Sequence, residues 1–176
     1  YVRNWIEFFD IKADDKLTLF SSFCHDGSVQ DMWAALLAGA CLYPLDIRSR
    51  AGVDQLAAWL EAEEITVWHS VPSLFAFFVN TLEEFASPGT SQPDLSLIRA
   101  FLLGGEAVRQ HEVDIFNRHF SHAILANVYG ATESSVSTIR IFQPGETVEY
   151  FTIGQPLDET EILVLNDDDA EVDPYE

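Results

Sequence analysis

The residue types best suited to chemistry lie together in residues 127–133, which read Asn-Val-Tyr-Gly-Ala-Thr-Glu. An apolar run precedes them, so the stretch is typical of a buried strand that ends in a turn. An aromatic ring, a hydroxyl and a carboxylate at such a strand end suit a nucleotide with its metal: Tyr129 for the base, Thr132 for a phosphate oxygen and Glu133 for Mg²⁺. A plain strand-to-loop exit, with Gly130 for the turn, explains the same residues equally well from spacing alone.

Strands and helices alternate along residues 1–135, which predicts βα units and an α/β fold with a mostly parallel sheet flanked by helices. The strand candidates are the apolar runs at residues 17–23, 41–45, 65–71, 98–103 and 123–129. Helical spacing of apolar residues is found in residues 1–15, 29–37, 53–60, 74–85 and 113–120. In the second helix the spacing i, i+3, i+4, i+7, i+8 places on one face Val29, Met32, Trp33, Leu36 and Leu37.

The pattern changes after residue 135 to a β-rich, acidic segment. Strand candidates there are residues 136–142, 148–153 and 161–165, and residues 145–176 hold 11 acidic side chains and no basic one. The sequence therefore predicts two parts: an α/β subdomain over residues 1–135 and a β-rich segment over residues 136–176 that begins a following subdomain.

Composition limits the partners of the chain. Its 176 residues are 48% apolar and 22% charged, which is typical of one globular domain. The 29 acidic and nine basic residues give a net charge of −20, which argues against nucleic acid and anionic membranes as partners. ATP remains compatible, because local groups rather than net charge bind one Mg²⁺-bound nucleotide.

Location is predicted from the cysteines and from targeting signals. Cys24 and Cys41 lie in apolar stretches without CxxC spacing, so we expect buried free thiols in a reducing cytoplasm. No apolar run approaches the roughly 20 residues of a membrane span, and the first residues lack a signal-peptide pattern. Because the chain starts without Met, we expect it to be a piece of a longer protein.

Four strand ends should meet at one edge of the sheet and can be compared as a set. They carry residues 25–27, 69–70, 104–106 and 129–133. Gly104 and Gly105 would let a flat ring approach the backbone, and Asp26 could meet a cationic group of a substrate. An N-cap role for Asp26 explains its position before a helix at least as well, and histidines such as His25 and His69 more commonly line a pocket wall without a catalytic role.

The sequence contains no GxSxG, Walker A or GxGxxG motif, which disfavours a hydrolase, a P-loop NTPase or a dinucleotide-dependent dehydrogenase.

In this order the strand-end motifs resemble the adenylate-forming superfamily, and most closely the adenylation domains of nonribosomal peptide synthetases. Residues 127–133 are similar to the family motif N-x-Y-G-P-T-E, and Leu-Gly-Gly-Glu-Ala at 103–107 is similar to its G-G-E stretch. His-Asp-Gly-Ser at 25–28, with Leu-Leu-Ala-Gly-Ala at 36–40, resembles the F-D-x-S helix and its L-L-x-G-A end. Ile-Gly-Gln-Pro at 153–156 matches the following I-G-x-P.

The resemblance implies a role for each matching residue. The ATP and adenine site would comprise Gly104, Gly105, Glu106, Asn127, Tyr129, Gly130 and Thr132. The acyl pocket would comprise Asp26, Gly27, Gln30, His69, Leu102, Gly104, Val128, Val136 and Ser137. Thr132 and Glu133 would act in catalysis, Glu133 would hold Mg²⁺, and Asp26 would pair with the α-ammonium of an amino acid. The chain departs from the family at His25, where Phe is usual, and at Ala131, where Pro is usual.

The implied reaction is attack of a carboxylate on ATP to give an acyl-adenylate and pyrophosphate. The acyl group would then pass to the phosphopantetheine thiol of a carrier-protein domain. In the family, the phosphate loop precedes the part matched here, and a ribose-binding Asp and a catalytic Lys follow it. We therefore expect this chain alone to fold but not to catalyse. Two alternatives stay open: an aryl- or fatty-acid-AMP ligase or acyl-CoA synthetase of the same superfamily, and a non-catalytic α/β binding module.

Overall fold

The computed structural model describes residues 2–47, 53–85 and 92–172. Over these ranges the chain forms five helices and seven strands. The helices are α1 (Val2–Phe8), α2 (Gly27–Ala38), α3 (Val53–Ala62), α4 (Pro72–Phe85) and α5 (Gln110–His119). The strands are β1 (Lys16–Leu19), β2 (Cys41–Pro44), β3 (Val67–Ser70), β4 (Ala100–Gly104), β5 (Ile124–Tyr129), β6 (Thr138–Phe142) and β7 (Gln155–Pro156).

All seven strands belong to one sheet in the order β2-β1-β3-β4-β5-β6-β7. Pairing from β2 to β5 is parallel, and β6 and β7 add antiparallel. The mostly parallel α/β architecture predicted from the sequence is therefore confirmed. The chain runs from β1 to β2 on one side and then crosses to β3 on the other side of β1, so a topological switch point lies between β1 and β3. Ligands of open α/β sheets bind at such a point, beside the carboxyl ends of the strands.

Helices cover both faces of the sheet, because successive strand residues point to opposite sides. Trp68, Phe101 and Leu125 face α3, α4 and α5 and form the larger core with side chains such as Leu60, Phe78 and Phe116. On the other face Val67, Leu102 and Ala126 form a smaller core with α1 and α2, including Trp5 and Ala34. Because these strands are buried on both sides, their sequences are continuous apolar runs, and such runs made the strands predictable from the sequence.

Helix α2 packs on the sheet through the face opposite to its large apolar side chains. Its buried residues are Ser28, Gln30, Asp31, Ala34 and Ala35. Trp33, Leu36 and Leu37 are 51%, 69% and 65% exposed. The periodicity located the helix correctly, but the small side chains are the ones that let it lie close to the sheet.

The C-terminal segment has less regular structure than predicted. Strand β6 is confirmed, whereas the strand predicted at 148–153 is wrong: this stretch forms no ladder, and the next pairing with β6 is made by β7. Within 161–165 only Leu165 forms a bridge, to Glu171. The division at residues 135 and 136 stays a prediction.

Both cysteines are exposed, so the expected buried thiols are wrong. Cys24 lies in the turn between β1 and α2, and Cys41 begins β2, which is an edge strand. Within the described ranges no helix is long and apolar enough to cross a membrane. The cytoplasmic location stays a prediction.

Candidate functional site

The carboxyl ends of β1, β3, β4 and β5 surround a cavity of about 360 Å³, termed here the first cavity. It lies at the switch point, between the segment that follows β1 and the segment that follows β3. Its walls are formed by Ser21, His25, Asp26, Gly27, Gln30, His69, Ser70, Val71, Gly104, Gly105, Val128, Gly130, Ser135 and Val136.

Asp26 stands at the start of α2 on the wall of the first cavity. Its Oδ1 accepts a hydrogen bond from the backbone N–H of Gly27 at 2.9 Å, so the side chain does serve as an N-cap. Ser28 Oγ donates to the carbonyl oxygen of His25 at 2.7 Å and fixes the same turn. Oδ2 of Asp26 makes no hydrogen bond to the described residues, so one carboxylate oxygen remains for a ligand. Asp26 can therefore cap α2 and still offer an oxygen to a ligand, so the two roles that the sequence left open are compatible.

His69 reaches the first cavity from β3 and is held from behind by Asp31 of α2. Its Nδ1 lies 2.9 Å from Oδ1 and 3.0 Å from Oδ2 of Asp31, and both residues are buried. Burial opposes the charged form of His69, but the charge and the hydrogen bond of Asp31 outweigh it and raise the pKa of the imidazole. Burial also raises the pKa of the Asp31 carboxyl, against the opposing influence of His69.

A second cavity of about 340 Å³ adjoins the first along β4 and β5. It is lined by Gly105, Glu106, Ala107, Val108, Asn127, Val128, Tyr129, Gly130, Phe151, Thr152 and Ile153. The ring of Tyr129 is half exposed there. Glu106 caps α4 with its carboxylate, which accepts from Ser73 N at 3.1 Å and from Ser73 Oγ at 3.0 Å. These contacts fix the loop after β4 in which Glu106 lines the second cavity.

The two cavities share Gly105, Val128 and Gly130 and so form one divided site. Gly105 has φ +81°, a conformation that side-chain-bearing residues rarely adopt. At Gly130 an added Cβ would lie 1.5 Å from the carbonyl oxygen of Ser135, because the loop that leaves β5 folds back on itself. Glycine is therefore required at both positions for the shape of the wall.

Thr132 and Glu133 lie exposed in the turn after β5 and line neither cavity. A side-chain contact and a backbone hydrogen bond hold the turn: Ser134 Oγ lies 3.0 Å from Ser137 Oγ, and the backbone N–H of Ser137 donates to the carbonyl oxygen of Tyr129 at 2.8 Å. Across the described ranges no three His, Cys, Asp or Glu side chains cluster as metal ligands.

Most of the predicted pocket residues come together. Seven of the nine predicted acyl-pocket residues line the first cavity: Asp26, Gly27, Gln30, His69, Gly104, Val128 and Val136. Leu102 is fully buried in the core, and Ser137 lines neither cavity. Of the predicted adenine residues, Gly105, Glu106, Asn127, Tyr129 and Gly130 line the second cavity.

Sequence reasoning missed Asp31 and the wall formed by residues 151–153. A lone carboxylate in an apolar helix, on the same face as two alanines, was the available signal for Asp31. The sequence marked residues 151–153 as part of a strand candidate and Ile153 as part of the I-G-x-P motif, and neither pattern places them beside β5.

A family model described as AMP-binding enzyme matches residues 1–176. Surfactin synthase subunit 2 of Bacillus subtilis (strain 168) is 29% identical over 174 residues, which cover 94% of this chain and 5% of that protein. The crystal structure of the nonribosomal peptide synthetase FmoA3 in its AMPPNP-bound form superposes with a TM-score of 0.81 at 21% identity, covering 95% of this chain and 18% of that chain. NpsA–ThdA from Klebsiella oxytoca, an artificially fused adenylation–PCP di-domain, superposes with a TM-score of 0.76 at 21% identity, covering 96% and 30%.

Proposed function

Since the chain belongs to the family of AMP-binding enzymes, we propose that it forms part of an adenylation domain of a nonribosomal peptide synthetase, which joins an amino acid to AMP. The observation that carries the proposal is the divided site, with Tyr129 beside one cavity and Asp26 beside the other. A carboxylate and a nucleotide must lie side by side for their reacting atoms to meet. Two cavities that share Gly105, Val128 and Gly130 are suited to that placement.

The second cavity would take the nucleotide. Tyr129 offers a half-exposed ring on which adenine stacks, and the Gly105 and Glu106 backbone forms the facing wall. Because Ser73 holds the Glu106 carboxylate, that wall exists before a ligand binds. The AMPPNP-bound form of FmoA3, which shares this fold, supports a nucleotide here.

The turn after β5 would meet the phosphates. Thr132 would donate its hydroxyl to an α-phosphate oxygen, and Glu133 would hold Mg²⁺ at the exposed edge. A metal held there would neutralise phosphate charge. The Ser134–Ser137 contact, 3.0 Å between hydroxyl oxygens, keeps the turn in position without the proline that the family usually has at residue 131.

The first cavity would take the amino acid. The free Oδ2 of Asp26 would accept from the α-ammonium, which leaves the substrate carboxylate directed toward the nucleotide. One carboxylate oxygen then attacks the α-phosphorus, the bond to pyrophosphate breaks, and the acyl-adenylate remains. A phosphopantetheine thiolate on a carrier-protein domain next attacks the acyl carbon and AMP leaves; the adenylation–PCP fusion NpsA–ThdA supports such a partner.

The chain spans about 5% of surfactin synthase subunit 2 and 30% of the NpsA–ThdA chain, so these activities are proposed for the natural protein that carries it. Residues 1–176 alone should bind ligands without catalysing. The described residues that line the two cavities include no Lys or Arg to neutralise a triphosphate. Amino-acid-dependent exchange by this chain alone would refute that expectation.

Pyrophosphate exchange with a panel of amino acids and the corresponding acids without an amino group tests the proposal. The natural protein should exchange only with amino acids, and Asp26→Asn should lower that activity by on the order of 100-fold, because a charge-assisted hydrogen bond is lost. Asp14→Asn is the matched control, an exposed aspartate at the opposite edge of the sheet. Exchange with amino-free acids that survives Asp26→Asn would instead assign an aryl- or fatty-acid activator, and no exchange at all would favour a non-catalytic binding module.

A further inference from the structure

The wall of the second cavity at residues 151–153 belongs to no helix or strand, yet it is attached to β6 at both of its ends. Thr138 Oγ1 donates to the carbonyl oxygen of Ile153 at 2.6 Å, and the ring of Phe142 lies 6.2 Å from the ring of Phe151, centroid to centroid. Thr138 and Phe142 point to the same side of the sheet, because side chains alternate along a strand. The position of this wall therefore depends on one face of β6.

Arg140 lies between these two contacts, on the same face of β6. Its Nη2 donates to Oε1 of Glu146 at 2.5 Å, and both side chains are partly buried. Its guanidinium carbon lies 5.5 Å from the centroid of the Phe142 ring, which is a cation–π contact. The other oxygen of Glu146 accepts from the backbone N–H of Gln143 at 2.9 Å. One guanidinium thus contacts both the turn that leaves β6 and the ring on which Phe151 packs.

The turn that Glu146 closes leads directly to the wall. The backbone N–H of Gly145 donates to Oδ1 of Asn117 in α5 at 2.9 Å, which ties the turn to the rest of the fold. Val148 follows and is buried in the larger core, and the next two residues are exposed. The wall is therefore held at separate points rather than by a ladder. Arg140 connects the point that precedes the wall with the ring that lies beneath it.

Arg140 occupies this position at a cost in free energy. Across the described ranges, its Nε is the buried side-chain nitrogen or oxygen that has no hydrogen-bond partner. An unpaired buried donor is unfavourable, and an apolar side chain of similar length would avoid that penalty. The ion pair with Glu146 is the contact that an apolar side chain could not make. The pair therefore points to a role beyond filling space over Phe142.

We propose that Arg140 is a positioning residue of the nucleotide site, which holds the wall at residues 151–153 in place before the nucleotide binds. The inference rests on the proposed function, because it assumes that ATP occupies the second cavity. Arg140 pairs with Asn127 across the β5–β6 ladder, and Thr138 pairs with Tyr129, so the strand that holds the wall also adjoins the cavity floor. A wall that is already ordered spares the nucleotide the cost of ordering it, so Arg140 raises affinity without lining the cavity.

Calorimetric titrations of the natural protein that carries the chain test this role. Arg140→Met should weaken binding of a non-hydrolysable ATP analogue by on the order of 10-fold, because ordering of the wall then opposes binding. Binding of the amino acid that the exchange panel identifies should not change, since neither Arg140 nor residues 151–153 line the first cavity. Arg118→Met is the matched control, because its pair with Glu83 is exposed and Arg118 lines neither cavity. Equal losses of both affinities would make Arg140 merely structural and overturn the inference.

Variants of the two partners separate the ion pair from the bulk of the side chain. Glu146→Gln should weaken binding of the ATP analogue about as much as Arg140→Met does. The double variant should bind no more weakly than either single variant, because the two side chains act as one unit. Arg140→Lys keeps a cation without the planar fork and should recover part of the affinity. Fully additive losses in the double variant would show that the two residues act independently, which would overturn the inference.

Hydrogen exchange measures the wall itself, without nucleotide or catalysis. In Arg140→Met the backbone amides of residues 147–153 should exchange faster than in the parent protein, whereas those of β3 should be unchanged. Unchanged exchange at the wall would overturn the inference. Failure of the proposed function gives a different result: a parent protein that binds no ATP analogue would refute the nucleotide site and, with it, this inference. An analogue bound equally well by the parent and by Arg140→Met would overturn the inference alone.

Discussion

The guanidinium of Arg99 holds the buried carboxylate of Asp15 with two hydrogen bonds, from Nε at 2.9 Å and from Nη2 at 2.6 Å. Thr66 Oγ1 donates to the same carboxylate at 2.7 Å, and the backbone N–H of Lys12 donates at 2.8 Å. Arg99 also donates to the carbonyl oxygen of Phe9 at 2.9 Å. This cluster joins the segments before β1, β3 and β4 at the sheet edge opposite the cavities.

Removal of the guanidinium should destabilise the fold without reaching the site. Arg99→Met should lower the free energy of unfolding by about 3 kcal/mol, because it leaves the buried carboxylate of Asp15 without a cation. Chemical denaturation followed by tryptophan fluorescence measures this loss. Arg118→Met is the control, since its 3.3 Å pair with Glu83 is exposed and should contribute at most about 1 kcal/mol. Equal effects of the two substitutions would contradict the structural role of Arg99.

Stability should also fall at acidic pH through Asp15. Burial opposes its charge, but the hydrogen bonds from Arg99, Thr66 and Lys12 outweigh it and lower its pKa. Because the folded pKa is below the unfolded value of about 4, this contribution is present above that pH and is lost as pH falls toward the folded pKa. Asp15→Asn should flatten the acid limb of a plot of melting temperature against pH. Asp14→Asn, an exposed neighbour, should leave the limb unchanged; a limb that stays steep in Asp15→Asn would assign it to other carboxylates.

The outward face of α2 should make the isolated chain self-associate. Trp33, Leu36 and Leu37 are all more than half exposed and lie on one face, an arrangement that soluble monomers rarely leave uncovered. Light scattering of residues 1–176 should show oligomers that disappear in a variant with Gln at all three positions. Phe77→Gln, at an exposed aromatic of α4, is the control. Oligomers that persist in the triple variant would place the contact elsewhere.

The strands could be predicted from the sequence, whereas the face of α2 that packs on the sheet could not. A strand buried on both sides is apolar throughout, as Leu102 and Phe101 of β4 illustrate on opposite faces. A helix has two faces, and periodicity identifies the apolar one without saying what it meets. In α2 close packing on the sheet selects Ala34 and Ala35, so the larger residues point outward.

The candidate site was predictable where it depends on strand ends and not where it depends on contacts between distant residues. Asp26, Gly104 and Tyr129 follow or end strands, and topology alone brings strand ends together. Asp31 reaches His69 across 38 positions, through the packing of α2 on β3. No local pattern encodes such a pair, because it exists only once the helix has docked on the sheet.

Nucleotide affinity should depend on the ring of Tyr129 and not on its hydroxyl. Tyr129→Ala should weaken binding of a non-hydrolysable ATP analogue by about 5- to 150-fold, because base–aromatic stacking contributes about 1–3 kcal/mol. Tyr129→Phe keeps the ring and should bind like the parent protein. Calorimetric titration of the natural protein that carries the chain measures all three affinities. Tyr150→Ala is the matched control, since Tyr150 is exposed and lines neither cavity. If Tyr129→Phe lost as much affinity as Tyr129→Ala, a hydrogen bond from the hydroxyl would replace stacking as the basis of nucleotide binding.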